Sequence, residues 1–287
     1  MSINPKKGAV IKLLSIITAL VTVVSMLPFQ AKAGYVKAMP VTVIVENSYS
    51  PIVIGDLIDD TAYVSLRTFC QAMDDKSDIS WDEASQTAYV NTGSLDLSVT
   101  VGEKYLIANG RYLYLENPCY VEDDVVKVPL RVLAKAFDAA IYWNSTNFEA
   151  DVTKGSGAIK SGDKTYNAES LYWLSRIISA EARGESLEGQ IAVGNVVLNR
   201  LNSGRYPDTV YGVVFDRRSG IQFSPTANGT IYREPTPMAV IAAKLALDGA
   251  EVAGGSLYFL NVSKSSSRWI VNNCNYVTTI GAHSFYM

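Results

Sequence analysis

One histidine, His283, in 287 residues is the sharpest shortage in this sequence. It excludes metal sites built on several histidines and leaves a Ser/His/Asp triad a single candidate base. Cysteine is almost as scarce. Cys70, Cys119 and Cys274 make an odd count, so in an exported chain at least one thiol stays free. A disulfide framework is not indicated, and all three read as small buried residues. Only one apolar run is long enough to approach a membrane span, Leu13 to Phe29. Lys6, Lys7 and Lys12 precede it, and "AKAG" offers small residues at Ala31 and Ala33. Residues 1–33 therefore read as a signal peptide, with an uncleaved membrane anchor as the alternative. Either reading places the working part outside the cytoplasmic membrane, and membrane contact is expected only through this segment.

An excess of positive charge is also missing. Without residues 1–33 the chain carries 21 basic and 28 acidic residues. The acid is uneven: 11 basic against 19 acidic over 34–165, but 10 against 9 over 166–287. Neither half has the basic surface that nucleic-acid binding requires.

What is present divides in two. "YVSLRTFCQAMDDKSDISWDE" (63–83) matches "KVPLRVLAKAFDAAIYWNS" (127–145), which aligns Leu66 with Leu130, Arg67 with Arg131, Ala72 with Ala136 and Trp81 with Trp143. Alternating runs such as "VTVIVE", "TAYVNT" and "FEADVT" flank each unit. Each unit reads as strands, a short helix beginning near Leu66 or Leu130, and a strand after the Trp. This frame resembles the copper amine oxidase N-terminal-like domain of secreted bacterial wall proteins. With no histidine in this half, no copper chemistry is expected. Tyr63, Trp81, Tyr112, Tyr114 and Trp143 are candidates either to bind glycan or to pack the sheet. "KGSGAIKSGDK" (154–164) reads as a linker.

The second half opens on a helix. Asn167 is the candidate N-cap, Glu169 sits in the first turn, and Leu171, Leu174, Ile177 and Ile178 mark one apolar face. Glu181 follows Ile177 by four residues and Ile178 by three, so it lies on that face just before Arg183 and Gly184 end the helix. Burial and the negative end of the helix dipole both disfavour its charged form. A carboxyl protonated near neutral pH is what a general acid must be. The competing reading pairs Glu181 with Arg176, Arg183 or Arg200 in a structural ion pair.

"AEARGESLEGQIAVGNVVLNRL" (180–201) resembles the defining segment of the SleB/CwlJ-type cell wall hydrolases, the spore cortex-lytic enzyme family. Further blocks follow in order: "YPDTVYGVVF", "QFSPTANGTI", "AAKLALDGAEVAGGSLYFLN", "RWI" and "TIGAHSFY". The resemblance spans about 168–287 and implies a mainly helical, lysozyme-like fold with a small β element. The helices are expected to be capped by Ser186 (187–201) and by Thr236 with Pro237 at the first position. "SLYFLN" and "VTTIGAHSFYM" are expected to pair. The expected class is α+β: a signal peptide over 1–33, a β-rich two-unit repeat domain with short helices over 34–153, a linker over 154–165 and the helical domain over 166–287.

The resemblance further implies a secreted enzyme that cleaves peptidoglycan glycan strands between N-acetylmuramic acid, or its lactam form in spore cortex, and N-acetylglucosamine. Glu181 matches the family's catalytic acid, and one carboxylate suffices for a lytic transglycosylase. A hydrolase that uses water needs a second positioned carboxylate. Glu185 is nearest, but it leaves the helix face and is expected to cap or support. Gln222, Phe223 and Ser224 are cleft candidates on a loop, with Phe223 stacking on a sugar or packing. Tyr258, Asn261 and Trp269 are candidates on the β element. The family often has Asn-Pro where this chain has Asn261-Val262. His283 is structural or a hydrogen-bond donor to substrate, because it lacks a recognisable partner serine. Asn199 and Arg200 read as a packed polar network. No metal or cofactor is implied. The competing classes are a water-using muramidase and a non-catalytic wall-binding protein.

Overall fold

The structure, a computed structural model, describes residues 38–46, 52–263 and 268–287. The expected signal peptide lies outside the described residues. Three strands, β1 (Met39–Val45), β2 (Ile52–Ile58) and β3 (Thr61–Ser65), lead into α1 (Leu66–Met73). A five-stranded antiparallel meander follows: β4 (Asp78–Asp82), β5 (Thr87–Asn91), β6 (Asp96–Thr100), β7 (Tyr105–Ala108) and β8 (Arg111–Tyr114). β9 (Tyr120–Glu122) and β10 (Val125–Pro129) then enter α2 (Leu130–Ala136), followed by β11 (Ala140–Asn144) and β12 (Glu149–Thr153). A seven-stranded sheet has the order β11-β12-β1-β2-β3-β10-β9, with β12 parallel to β1.

Period-two patterning sets the face of β1: Val41, Val43 and Val45 are fully buried while Thr42 and Ile44 are half-buried. The internal repeat becomes a structural one. Leu66 and Leu130 are buried at the starts of α1 and α2, and Arg67 and Arg131 point outward. Trp81 and Trp143 occupy the fourth position of β4 and β11. The units differ at their caps. Ser65 Oγ accepts from Thr68 N, whereas Pro129 offers no side-chain cap. Phe69 and Phe137 meet edge to face across the two helices. Among the aromatics considered for glycan, Tyr63 is buried and Trp143 packs on the core, while Trp81 is 39% exposed. Tyr112 and Tyr114 pack against the C-terminal half.

Residues 154–166 are held along their length. Ile159 is buried in the N-terminal core, Ser156 Oγ donates to Asp138, and Asn109 Nδ2 donates to the carbonyl of Ile159. A short helix, α3 (Gly162–Thr165), precedes α4 (Ala168–Ala182).

The C-terminal half is mainly helical, so the described chain is of the α+β class. α4 and α5 (Leu187–Asn202) pack with α8 (Pro237–Leu247), and the short α6 (Val210–Val214) and α7 (Pro225–Asn228) lie between α5 and α8 in the chain. Each long helix starts at a side-chain cap. Asn167 accepts from Ser170 N, Ser186 from Gly189 N and Thr236 from Ala239 N. Gly194, mid-α5, lets the helices approach closely, since a Cβ there would stand 3.0 Å from Ile178 Cδ1 and 3.3 Å from Ala246 Cβ. Ser179 Oγ accepts from Thr236 N and seats α8 on α4. A three-stranded sheet closes this half: β13 (Tyr258–Leu260), then α9 (Trp269–Asn273), then β14 (Tyr276–Ile280) and β15 (His283–Tyr286). Its order, β13-β15-β14, pairs the two segments expected to pair. The cysteines are free; Cys70 and Cys119 are buried, but Cys274 is half-buried at the end of α9, which corrects the expectation that all three are core residues.

The two halves meet at Asp248, the residue after α8. Its carboxylate accepts from Arg111 on β8 and from the Tyr166 hydroxyl, and its carbonyl accepts from Lys135 Nζ at 3.0 Å. Tyr105, Tyr112 and Tyr114 pack against the C-terminal core, Tyr112 N donates to the Tyr166 hydroxyl, and Lys244 Nζ lies 4.8 Å from the Tyr112 ring centre.

Candidate active site

Glu181 is the penultimate residue of α4. Ile177 and Ile178, on its own face, are fully buried, and the chain turns away after Ala182. The carboxyl opens into a cleft of about 1420 Å³. That exceeds the roughly 300–1,000 Å³ of ordinary small-molecule pockets and suits an extended ligand. Burial alone raises the Glu181 pKa from 4.5 to about 7. The alternative reading, a structural ion pair, does not occur among the described residues. Arg176 pairs with Glu234 at 2.7 Å, Arg200 bonds to Leu257 O and Gln222, and Arg183 is exposed.

The cleft gathers all nine side chains singled out from the sequence: Glu181, Glu185, Gln222, Phe223, Ser224, Tyr258, Asn261, Trp269 and His283. Their placements differ in kind. Phe223 is 2% exposed and belongs to the core, so it packs and does not present an open stacking face. Gln222 is oriented: its Oε1 accepts from Arg200 and its Nε2 donates to Gly220 O. Ser224 is exposed at the start of α7. Tyr258 lies on β13, with its ring 6.1 Å from that of Trp269. Trp269 is not on the sheet as expected; it opens the short helix α9 and is 57% exposed. Asn261 follows β13, and its Oδ1 accepts from Ser263.

Glu185 does not cap α5, a task taken by Ser186. Its carboxylate instead reaches across to the β14–β15 turn, where Oε2 accepts from Ala282 N at 3.0 Å and Oε1 lies 3.9 Å from His283 Nδ1. His283 is buried, edge-on to Phe259. Gly281 makes this crossing possible, for its φ is +57° and a Cβ there would collide with Glu185 Oε2. Gly281→Ala is expected to push Glu185 off the turn and to cost about 1–2 kcal/mol from the left-handed backbone alone. Thermal unfolding of the variant checks this.

Arg200, expected only to join a polar network, also lines the cleft. Its Nε donates to Leu257 O at 2.7 Å, and its guanidinium lies about 5 Å from the rings of Tyr206, Phe223 and Tyr258. Burial lowers its pKa. Tyr206, Arg205, Asp216 and Arg218 complete a wall that sequence reasoning missed. The polar run "DRRSG" (216–220) was the available signal. Among the described residues no three His, Cys, Asp or Glu side chains converge as a metal site would require.

Comparison with known families gives one match in each half. Residues 184–286 match the cell wall hydrolase family, and residues 44–152 the copper amine oxidase N-terminal domain family. Copper does not fit the latter segment, which contains no histidine. The chain is similar to a spore cortex-lytic enzyme of Oceanobacillus iheyensis, 35% identical over 150 residues, covering 48% of this chain and 53% of that protein. It is likewise similar to a spore cortex-lytic enzyme of Bacillus subtilis, 38% identical over 112 residues, covering 39% of this chain and 35% of that protein. The chain thus spans about half the length, or less, of these curated relatives. Among solved structures it is similar to the catalytic domain of the germination-specific lytic transglycosylase SleB from Bacillus anthracis. That likeness has 33% identity and a TM-score of 0.40, and covers 45% of this chain and all of that one. The family match begins at Gly184, so the argument for Glu181 rests on its geometry.

Proposed function

We propose that this chain is a secreted peptidoglycan-degrading enzyme that cleaves the glycan bond between muramic acid and N-acetylglucosamine, acting as a lytic transglycosylase. The observation that carries the reading is Glu181, a half-buried carboxyl near a helix end, free of any cation partner among the described residues and open to a large cleft. Protonated, it donates to the departing glycosidic oxygen as the bond from the muramic C1 breaks. Positive charge develops at C1 and the ring oxygen. Glu181, now a carboxylate, takes the proton of the muramic 6-hydroxyl as O6 bonds to C1, which closes a 1,6-anhydro ring and returns Glu181 to its starting state.

A water-using mechanism needs a second free carboxylate. Glu185 is committed to the β14–β15 turn, and Asp216 is held by Arg218, whose hydrogen bonds lower its pKa. Both support the one-carboxylate reading. The oriented amide of Gln222, the half-buried Tyr258 and the exposed Trp269 are assigned to sugar binding, and Glu185 to holding His283 and the turn in place. The relatives named spore cortex-lytic enzyme support a role in germination, with vegetative wall remodelling as the other setting. The N-terminal half is assigned to placement on the wall, and residues 1–33 to export.

Mass analysis of the soluble muropeptides from digests of cortex and vegetative sacculi tests this. Anhydro-muramic ends are the expected product. Reducing ends would mean that water is the acceptor, and no product from either wall would favour a binding protein.

A further inference from the structure

Three exposed arginines line the cleft and are left unused by the proposed chemistry, Arg183, Arg205 and Arg218, and the last two are joined through the Arg205 carbonyl. Arg218 is pinned by Asp216, with Nε 3.0 Å from Oδ1 and Nη2 3.0 Å from Oδ2, and Nη2 also donates to the carbonyl of Arg205 at 3.3 Å. One edge of the fork is thereby fixed, and Nη1 remains for a ligand. Arg205 is exposed beside it and has no acidic partner among the described residues. Arg200, deeper in the same wall, is different: its guanidinium is buried and committed to Leu257 O and Gln222.

We propose that Arg205 and Arg218 form an anion subsite in the cleft that takes a carboxylate carried on the muramic sugar. The inference rests on the glycan-cleaving reading above. The amino-sugar backbone of such a strand is uncharged, so the ionic group it offers two guanidinium forks is the carboxylate chemistry of the muramic substituent. That chemistry has two sources, the lactyl carboxylate itself and the acidic groups of a stem peptide attached to it. Closure of the muramic residue to a lactam removes both. Arg218 pairs with Asp216, and neither arginine pairs with Glu181 among the described residues. They act on which strands bind, not on the proton transfer.

The full chain, Arg205→Gln and Arg218→Gln are to be compared on three soluble strand preparations: stem peptides intact, strands stripped to free lactyl groups, and strands with muramic lactam. Both side chains are exposed, and matching thermal unfolding confirms that the variants are folded. The ratio of kcat/KM on carboxylate-bearing strands to that on lactam strands is expected to fall about tenfold in each variant, the scale of a lost charge-assisted hydrogen bond. A fall confined to peptide-bearing strands assigns the peptide carboxylates; a fall on stripped strands as well assigns the lactyl group. An unchanged ratio, whether both rates drop together or neither does, overturns the subsite. If wild type and Glu181→Gln alike leave all three preparations intact, the glycan-cleaving reading fails, and the subsite fails with it.

Discussion

Glu181→Gln is expected to lower the rate of glycan cleavage by about 10²–10⁴-fold, the usual contribution of a positioned proton-transfer group. The same substitution is expected to make the protein more stable at pH 8. The two effects share one cause. The folded pKa is raised from 4.5 to about 7 by burial, so the fold favours the protonated carboxyl. Below about pH 4.5 the group is protonated in both folded and unfolded chains, and its titration costs nothing. As pH rises through the window from 4.5 to 7, the unfolded chain releases its proton first and stability falls. Above pH 7 the cost levels off at up to about 3 kcal/mol. Glutamine has no charge to desolvate, so the advantage of Glu181→Gln should be present at pH 8 and vanish near pH 4. Urea unfolding at the two pH values, beside muropeptide release, measures both effects. A variant that loses activity and stability together would instead mark Glu181 as a structural residue.

The second large effect is expected at the junction of the halves. Asp248→Ala should destabilise the chain by about 3–5 kcal/mol, the cost of removing one partner from a buried ion pair. The Asp248 side chain is 1% exposed and that of Arg111 16% exposed, so the substitution strands a guanidinium away from water. It also removes the acceptor of the Tyr166 hydroxyl. Arg111→Ala should cost a similar amount, and the double variant less than the sum, because the two share one interaction. The pair between Lys104 and Glu188 also joins the halves, at 2.6 Å, but the Lys104 side chain is 42% exposed. Lys104→Ala should therefore change stability by no more than about 1 kcal/mol. Denaturant midpoints for the four variants check this ordering. Equal effects of Asp248→Ala and Lys104→Ala would mean that the halves are not held through the buried node.

Local grammar is legible in the sequence itself. Asn167, Ser186 and Thr236 each announce a helix start by residue type, and each side chain accepts the expected backbone N–H. The apolar spacing from Leu174 to Ile178 places Glu181 on the face that opens to the cleft, and the Val-x-Leu-Arg frame marks the two equivalent helices of the repeat. Long-range pairing is not legible in the same way. Asp248 finds Arg111 and Tyr166 at separations of 137 and 82 residues, and nothing near it in sequence encodes either partner. Arg200 sits on an apolar helix, so its face reads as core; only the arrival of Tyr206 and Tyr258 beside it makes it a cleft wall. Glu185 has the residue type of a helix cap, but its partner is the β14–β15 turn some 97 residues away. The neighbours of Trp269 suggest a place on the sheet, whereas a helix that begins at Trp269 itself intervenes before β14.

The central claim is that burial keeps Glu181 protonated near neutral pH so that it can act first as acid and then as base. Its most direct test is a carbon-13 NMR titration of the side-chain carboxyl groups, with Glu181→Gln used to assign the signal. The account predicts a midpoint at about 7, raised from the ordinary 4.5. A midpoint near 4.5 would contradict it, since the carboxyl would then be charged at neutral pH and unable to donate the proton that the cleavage requires.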